Sequence, residues 1–185
     1  IYPWLREHFA PRLDDVSLED FYRMINKAQP SLIRTEADEL TYCLHIMVRY
    51  ELERRMFAGE LTAHDLPAEW NRLYKAYLGV DVPNDREGIL QDSHWANGNI
   101  GYFPSYAIGS AYGAQYLRQM QKDFDVSAAV ATGRLTQINC WLEEKIWKYG
   151  CMKDPTPLFE SVCGPFDPTC YTAYLRDKFT EVYGL

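Results

Sequence analysis

Residues 30–59, PSLIRTEADELTYCLHIMVRYELERRMFAG, decide the fold class. Leu40, Leu44, Met47, Val48 and Leu52 recur at the three- and four-residue spacing of a helix face. The pattern predicts one long helix from about Leu32 to Ala58. Gly59 is its stop, since a left-handed residue after the last turn is commonly glycine. Glu36 and Asp38 would then lie in the first turn, where acidic groups favour the helix dipole. Arg49, Glu53 and Arg54 are assigned to the outer face.

The same reading extends in both directions. SLEDFYRMINKA (17–28) opens with a capping pattern, Ser17 followed three residues later by Asp20, and stops before Pro30. A further helix is predicted from Pro67 to Leu78, ending at Gly79. Helices follow from Pro104, over Ser127–Thr132, Leu135–Tyr149 and Pro168–Tyr183. Gly109 and Gly113, with Ala107, Ala111 and Ala114, form a small-residue face that predicts close helix packing. Only the stretch from about 80 to 103 lacks a sustained period. It carries Gly, Pro and Asn at short intervals and could hold short strands. The fold class is all-α, a single helical domain over 1–185 with one long irregular loop, and such a loop in a helical domain is often functional.

Composition narrows the partners. The chain has 185 residues, 47% apolar and 15% aromatic, with net charge −7. That balance argues against nucleic acid, whose phosphates need clustered Lys and Arg. No apolar run is long enough to span a bilayer. The opening IYPWLREHFAPRL is charged by Arg6 and has no apolar h-region, unlike a secretory signal. Without an initiator Met it reads as part of something longer. Five Cys with no C-x-x-C pair predict reduced thiols in a cytoplasmic protein.

Two stretches could carry chemistry. In PSLIRTEADELTY, Arg34 follows the apolar pair Leu32 and Ile33 beside an acidic cluster. It reads either as a surface ion pair or as an anion clamp, because a guanidinium fork matches a carboxylate. GILQDSHW (88–95) gathers Gln91, Asp92, His94 and Trp95, with Tyr102 and Tyr106 close behind. Asp92 and His94 could ligate a metal or pair in acid–base work; either could equally be hydrogen-bonded structure. The tyrosines read as donors to an oxyanion or as buried aromatics. No H-E-x-x-H, G-x-S-x-G, Walker loop or dinucleotide fingerprint is present.

These two stretches resemble the Taq-type thermostable metallocarboxypeptidases. Ile33, Arg34, Ala37 and Asp38 make an I-R-x-x-A-D core, and Gly88, Gln91, Asp92, His94 and Trp95 make G-x-x-Q-D-x-H-W. The flanking LHIMVRYELERRMFAGEL, DLPAEWNRLYKAYLGV, PNDREG, GYFPSYAIGSAYGAQ and YLRDKFTEVYGL are similar too. Members of that family are longer, with an H-E-x-x-H helix and a further metal-binding Glu upstream of the resembling region. A departure lies in EKIWKYG (144–150), where relatives often carry His at the positions of Trp147 or Tyr149.

The resemblance implies a C-terminal portion of a helical enzyme with a deep groove, removing single C-terminal residues from peptides. Zinc (or cobalt) would be held by the upstream portion and none by this chain. Arg34, Gln91 and Trp95 would contact substrate, and Arg34 would read its free carboxylate. His94, Tyr106 and Tyr102 would act at the oxyanion, while Asp38 and Asp92 would orient the metal ligands or Arg34. Relatives are commonly homodimers. The alternatives are a non-catalytic helical interaction module, or a subunit complementing a separate H-E-x-x-H chain.

Overall fold

The computed structural model describes residues 1–185, all helix, turn and irregular backbone with no strand. The short strands entertained for the irregular stretch do not form. Nine α-helices run in order: α1 (Tyr2–His8), α2 (Leu18–Ile25), α3 (Tyr42–Phe57), α4 (Leu66–Leu78), α5 (Pro104–Asp123), α6 (Val126–Ala131), α7 (Leu135–Lys145), α8 (Pro155–Cys163) and α9 (Thr169–Tyr183). The chain divides into two compact units. One comprises residues 1–107 with 178–185, the other residues 108–177.

In the first unit α3 packs on α4. Val48 and Leu52 meet Leu66, Trp70, Leu73, Tyr74 and Leu78 in a continuous apolar cluster. The caps are those the sequence announces. The Ser17 hydroxyl accepts the Asp20 amide at the start of α2. At the end of α3, Gly59 has φ +73°, its N–H reaches the Met56 carbonyl, and the Glu60 N–H reaches Arg55. That paired closure satisfies carbonyls the helix would otherwise leave open. Gly79 closes α4 in the left-handed region.

The long helix is shorter than its period suggested. Residues 34–36 make a single 3-10 turn, Ala37 is extended, and α3 begins only at Tyr42. Asp38 explains the break: its carboxylate accepts the Thr41 amide and hydroxyl at 3.0 and 2.9 Å and the Gln29 amide at 2.9 Å. An Asp bonding its own backbone in this way competes with helix. Glu36 and Asp38 therefore do not sit in the first turn of α3. The orientation of α3 also differs from expectation. Arg49 and Glu53 are buried, while Leu40 and Met47 are exposed; of the three charges assigned outward, only Arg54 lies there.

In the second unit, Met120, Val126 and Trp141 form the centre, and the Trp141 indole donates to Asp123 at 2.7 Å. Tyr112 stacks on Phe159 with centroids 3.9 Å apart. A Cβ placed at Gly109 or Gly113 would meet nothing within 4 Å, so the close packing expected on that small-residue face is not found. The predicted Leu135–Tyr149 helix ends at Lys145, followed by a 3-10 turn at Trp147–Tyr149. Helix α8, which the periodicity did not reveal, starts with Asp154 and Pro155, a sound first turn in retrospect.

Candidate functional site

Every residue of interest here lies in the first unit. The site is built on one ridge of α3. His45, Arg49 and Glu53 succeed each other at four-residue spacing, so they line one face. All three are buried, on the face that also carries Val48 and Leu52. The irregular segment from Gly88 to Phe103 lies against this ridge and supplies the partners.

Asp92 is the centre. Its Oδ1 receives the Arg34 Nη2 and Nε at 2.7 and 3.1 Å, and its Oδ2 receives the Arg49 Nε at 2.7 Å. Burial pushes the Asp92 carboxyl up, but the Arg34 hydrogen bonds and the Arg49 charge outweigh it and hold the group below the usual carboxylate range. The converse holds for Arg34, which burial would lower and Asp92 keeps protonated. Arg34 also donates from Nη1 to the Tyr42 hydroxyl at 3.0 Å. Its guanidinium sits 5.1 Å from the Tyr106 ring centroid, and that of Arg49 sits 4.6 Å from the Trp70 ring, within cation–π reach.

Gln91 completes the lattice. Its Oε1 accepts the Arg34 amide and the Arg49 Nη2, both at 2.9 Å, while Nε2 donates to the carbonyls of Leu32 and Glu87. An amide offers two donors and a carbonyl with two lone pairs. The Gln91 side chain thus has its donors and acceptor engaged inside the chain. Its role is to brace the Arg34 turn against the loop.

Above the lattice, the His94 ring lies 4.4 Å from Phe103 and 5.8 Å from Tyr102. His94 Nε2 is 3.1 Å from the Tyr106 hydroxyl. His94 Nδ1 is 3.8 Å from Asp92 Oδ1, too far for a hydrogen bond, and Nδ1 has no hydrogen-bond partner. Neutral with the proton on Nδ1, the imidazole accepts the phenol proton at Nε2. As an imidazolium it donates from Nε2 to the phenol oxygen. Tyr102 is half exposed, its ring edge-on to Tyr106 at 5.4 Å.

The remaining sequence candidates are occupied differently. The Trp95 indole N–H donates to Glu53 Oε1 at 2.6 Å, so its polar atom is engaged within the chain. Asp38 makes the local turn described above, bonding Thr41 and Gln29, whereas it is Asp92 that orients Arg34. Three participants escaped the sequence reading: His45, Arg49 and Glu53. His45 is fully buried, with Nδ1 3.1 Å from the Tyr74 hydroxyl and Nε2 unpartnered. Burial and the charges of Arg49 and Arg34 lower its pKa to about 4, so it is neutral at pH 7. An open cavity lined by Ile33, Asn84, Arg86, Glu87, Leu90 and Gln91 adjoins the brace.

No group of three or more His, Cys, Asp or Glu side chains is arranged to hold a metal ion. Asp92 and His94 come nearest, and both oxygens of Asp92 are taken by arginines. The residues of this chain do not fit a zinc or cobalt centre.

This arrangement lies within sequence that matches known proteins. The family model described as carboxypeptidase Taq (M32) metallopeptidase matches residues 1–179. Carboxypeptidase 1 of Bacillus subtilis is 43% identical over 184 residues, which are 98% of this chain and 37% of that protein. Thermostable carboxypeptidase 1 of Thermus thermophilus is 42% identical over 185 residues, 99% of this chain and 36% of the relative. Among solved structures, the M32 carboxypeptidase of Deinococcus radiodurans superposes with a TM-score of 0.95 at 38% identity, covering 100% of this chain and 38% of that one. Metallocarboxypeptidase 1 of Trypanosoma cruzi gives 0.84 at 36% identity, over 91% and 36%. The chain spans little more than a third of the length of the curated relatives it matches. With a family model matched from its first residue to Phe179 and an all-helical fold shared with these structures, the chain belongs to the carboxypeptidase Taq (M32) metallopeptidase family.

Proposed function

We propose that this chain is the C-terminal portion of a metal-dependent carboxypeptidase that removes single residues from the free C-terminus of peptides. The family match over residues 1–179 carries the reading. Because the chain offers no fitting ligand set, the zinc (or cobalt) belongs to residues outside it, the H-E-x-x-H portion that the resemblance puts upstream. The part taken by this chain is a wall of the groove. The reading extends to a cytoplasmic homodimer. No helix is long and apolar enough to cross a membrane, and no disulfide joins the five cysteines.

The geometry supports a division of labour. Asp92 presets two arginines. Arg34 spends three of its five N–H donors on Asp92 and Tyr42, which leaves two for a substrate carboxylate. His94 Nε2 and the Tyr106 hydroxyl lie 3.1 Å apart, within hydrogen-bond distance. A phenol that donates to an oxygen on which negative charge develops favours the transition state over the ground state.

The test is peptide hydrolysis by the full-length protein, compared on one peptide with a free C-terminus and with a C-terminal amide. Stepwise release of single terminal residues from the free peptide, with the amide resistant, supports the reading. Internal cleavage, or equal rates on both peptides, refutes it.

A further inference from the structure

Glu53 is a charged residue in an apolar place. It is 5% exposed, on the same face of α3 as Leu52 and one helical turn beyond Arg49. Burying a carboxylate is costly unless its oxygens find donors. Both partners of Glu53 are N–H groups of the irregular segment: the Trp95 indole reaches Oε1 at 2.6 Å and the Gly101 amide reaches Oε2 at 3.2 Å. One oxygen therefore serves each end of residues 95–101.

Between those ends the backbone turns back on itself. The amides of Asn97 and Asn99 both reach the His94 carbonyl, and Gly98 reaches Trp95. Gly98 and Gly101 have φ of +74° and +73°, a region that disfavours other residues. Such a run of turns fixes its own curl but not its attachment to the fold. Trp95 then packs edge-on against Trp70 and Phe103, and Phe103, 1% exposed, lies under the His94 ring. The His94 carbonyl, its ring support and the Tyr102 backbone are all within one residue of a group held by Glu53 or packed on Trp95.

We propose that Glu53 is a positioning residue: its carboxylate clips Trp95 and Gly101 together and so fixes His94, Tyr102 and Tyr106 over the Arg34–Asp92–Arg49 lattice. It touches no substrate and acts only through the loop. A carboxylate is the side chain for the task because both partners are donors. Glutamine would turn one of its two contacts into donor against donor, and aspartate is one methylene too short to hold both.

The proposal's kinetic part rests on the peptidase reading; its structural part does not. Glu53→Gln and Trp95→Phe are made in the full-length protein, with thermal melts to show that each folds. Indole N–H and histidine ring NMR signals are read in both, the Trp95 signal being the one missing in Trp95→Phe. The expected result is that Glu53→Gln moves the Trp95 indole and His94 ring signals. It lowers kcat by about 10- to 100-fold, the scale of a catalytic group displaced by an ångström, with KM changed less than about twofold. Glu53→Asp recovers part of the rate, and adding Trp95→Phe to Glu53→Gln costs less than the product of the single losses. An unmoved indole or His94 signal overturns the clip. A moved signal with unchanged kcat overturns its control of the site. If the wild-type protein hydrolyses no peptide, the peptidase reading falls alone, and the two NMR signals still decide whether Glu53 positions His94.

Discussion

Replacing Asp92 with Asn is the sharpest test of the buried lattice, because shape is kept and charge is removed. The Asp92 carboxyl is about one-tenth exposed and faces two guanidiniums, one of them fully buried. In Asp92→Asn one oxygen still accepts, but the amide nitrogen that replaces the other turns donors toward Arg34 or Arg49. Two buried cations then face each other without a counterion between them. Removing one partner from a buried ion pair costs about 3–5 kcal/mol, well above the sub-kilocalorie value of an exposed pair. At about 2–4 °C per kcal/mol for a chain of this size, the melting temperature should drop by roughly 6–20 °C. The assay is thermal and urea unfolding of wild type, Asp92→Asn, Arg49→Met and the double variant. In the double variant one of the orphaned cations is gone, so its loss should be clearly smaller than the sum of the two single losses. A loss under about 1 kcal/mol for Asp92→Asn, or strict additivity in the cycle, would show the charges to be solvated and refute the reasoning.

Three further outcomes are expected. His45 has its folded pKa depressed to about 4, below its unfolded value near 6.5; it favours the fold while neutral, so the stability it contributes is present above pH 6.5 and is lost as pH falls toward 4. That loss approaches about 3 kcal/mol, and urea unfolding across this range should show a shallower decline in His45→Gln than in wild type. In the intact enzyme, Tyr106→Phe should lower kcat by about 10²-fold with little change in KM or melting temperature, and Tyr102→Phe should do less; steady-state kinetics with melts on both would decide it, and an unchanged kcat in both would leave His94 alone. Arg34→Lys keeps the charge but loses the fork, so the ratio of rates on free and amidated peptides should fall, and equal losses on both would make Arg34 a brace only.

Helix class and the caps at Ser17, Gly59 and Gly79 were readable because each is a local matter. Ser17, Gly59 and Gly79 do at their positions what short-range chemistry demands. The start of α3 was not readable, because two local signals disagree there. The apolar spacing from Leu32 onward is helical, whereas Asp38 is a residue that bonds its own backbone. The tertiary bond from the Arg34 amide to Gln91, 57 positions away, decides for the break, and periodicity holds no information about such a partner.

The candidate site was half readable for a related reason. Arg34, Asp92 and His94 stood out because they sit in irregular sequence, where a polar residue needs an account. His45, Arg49 and Glu53 hid inside a regular helix, where charge is normally assigned to solvent. Their spacing held the correction: Arg49 is one residue from Val48, and Glu53 one from Leu52, so a helix that buries Val48 and Leu52 turns Arg49 and Glu53 toward the same side. A charged residue carried on the apolar stripe of a core helix must find partners from elsewhere in the chain, and an irregular segment rich in N–H groups and bearing one carboxylate is where this chain supplies them. The long loop and the miscast stripe are two halves of one feature. Neither is stable alone: the loop has no ladder of its own, and the helix would bury a guanidinium and a carboxylate without partners.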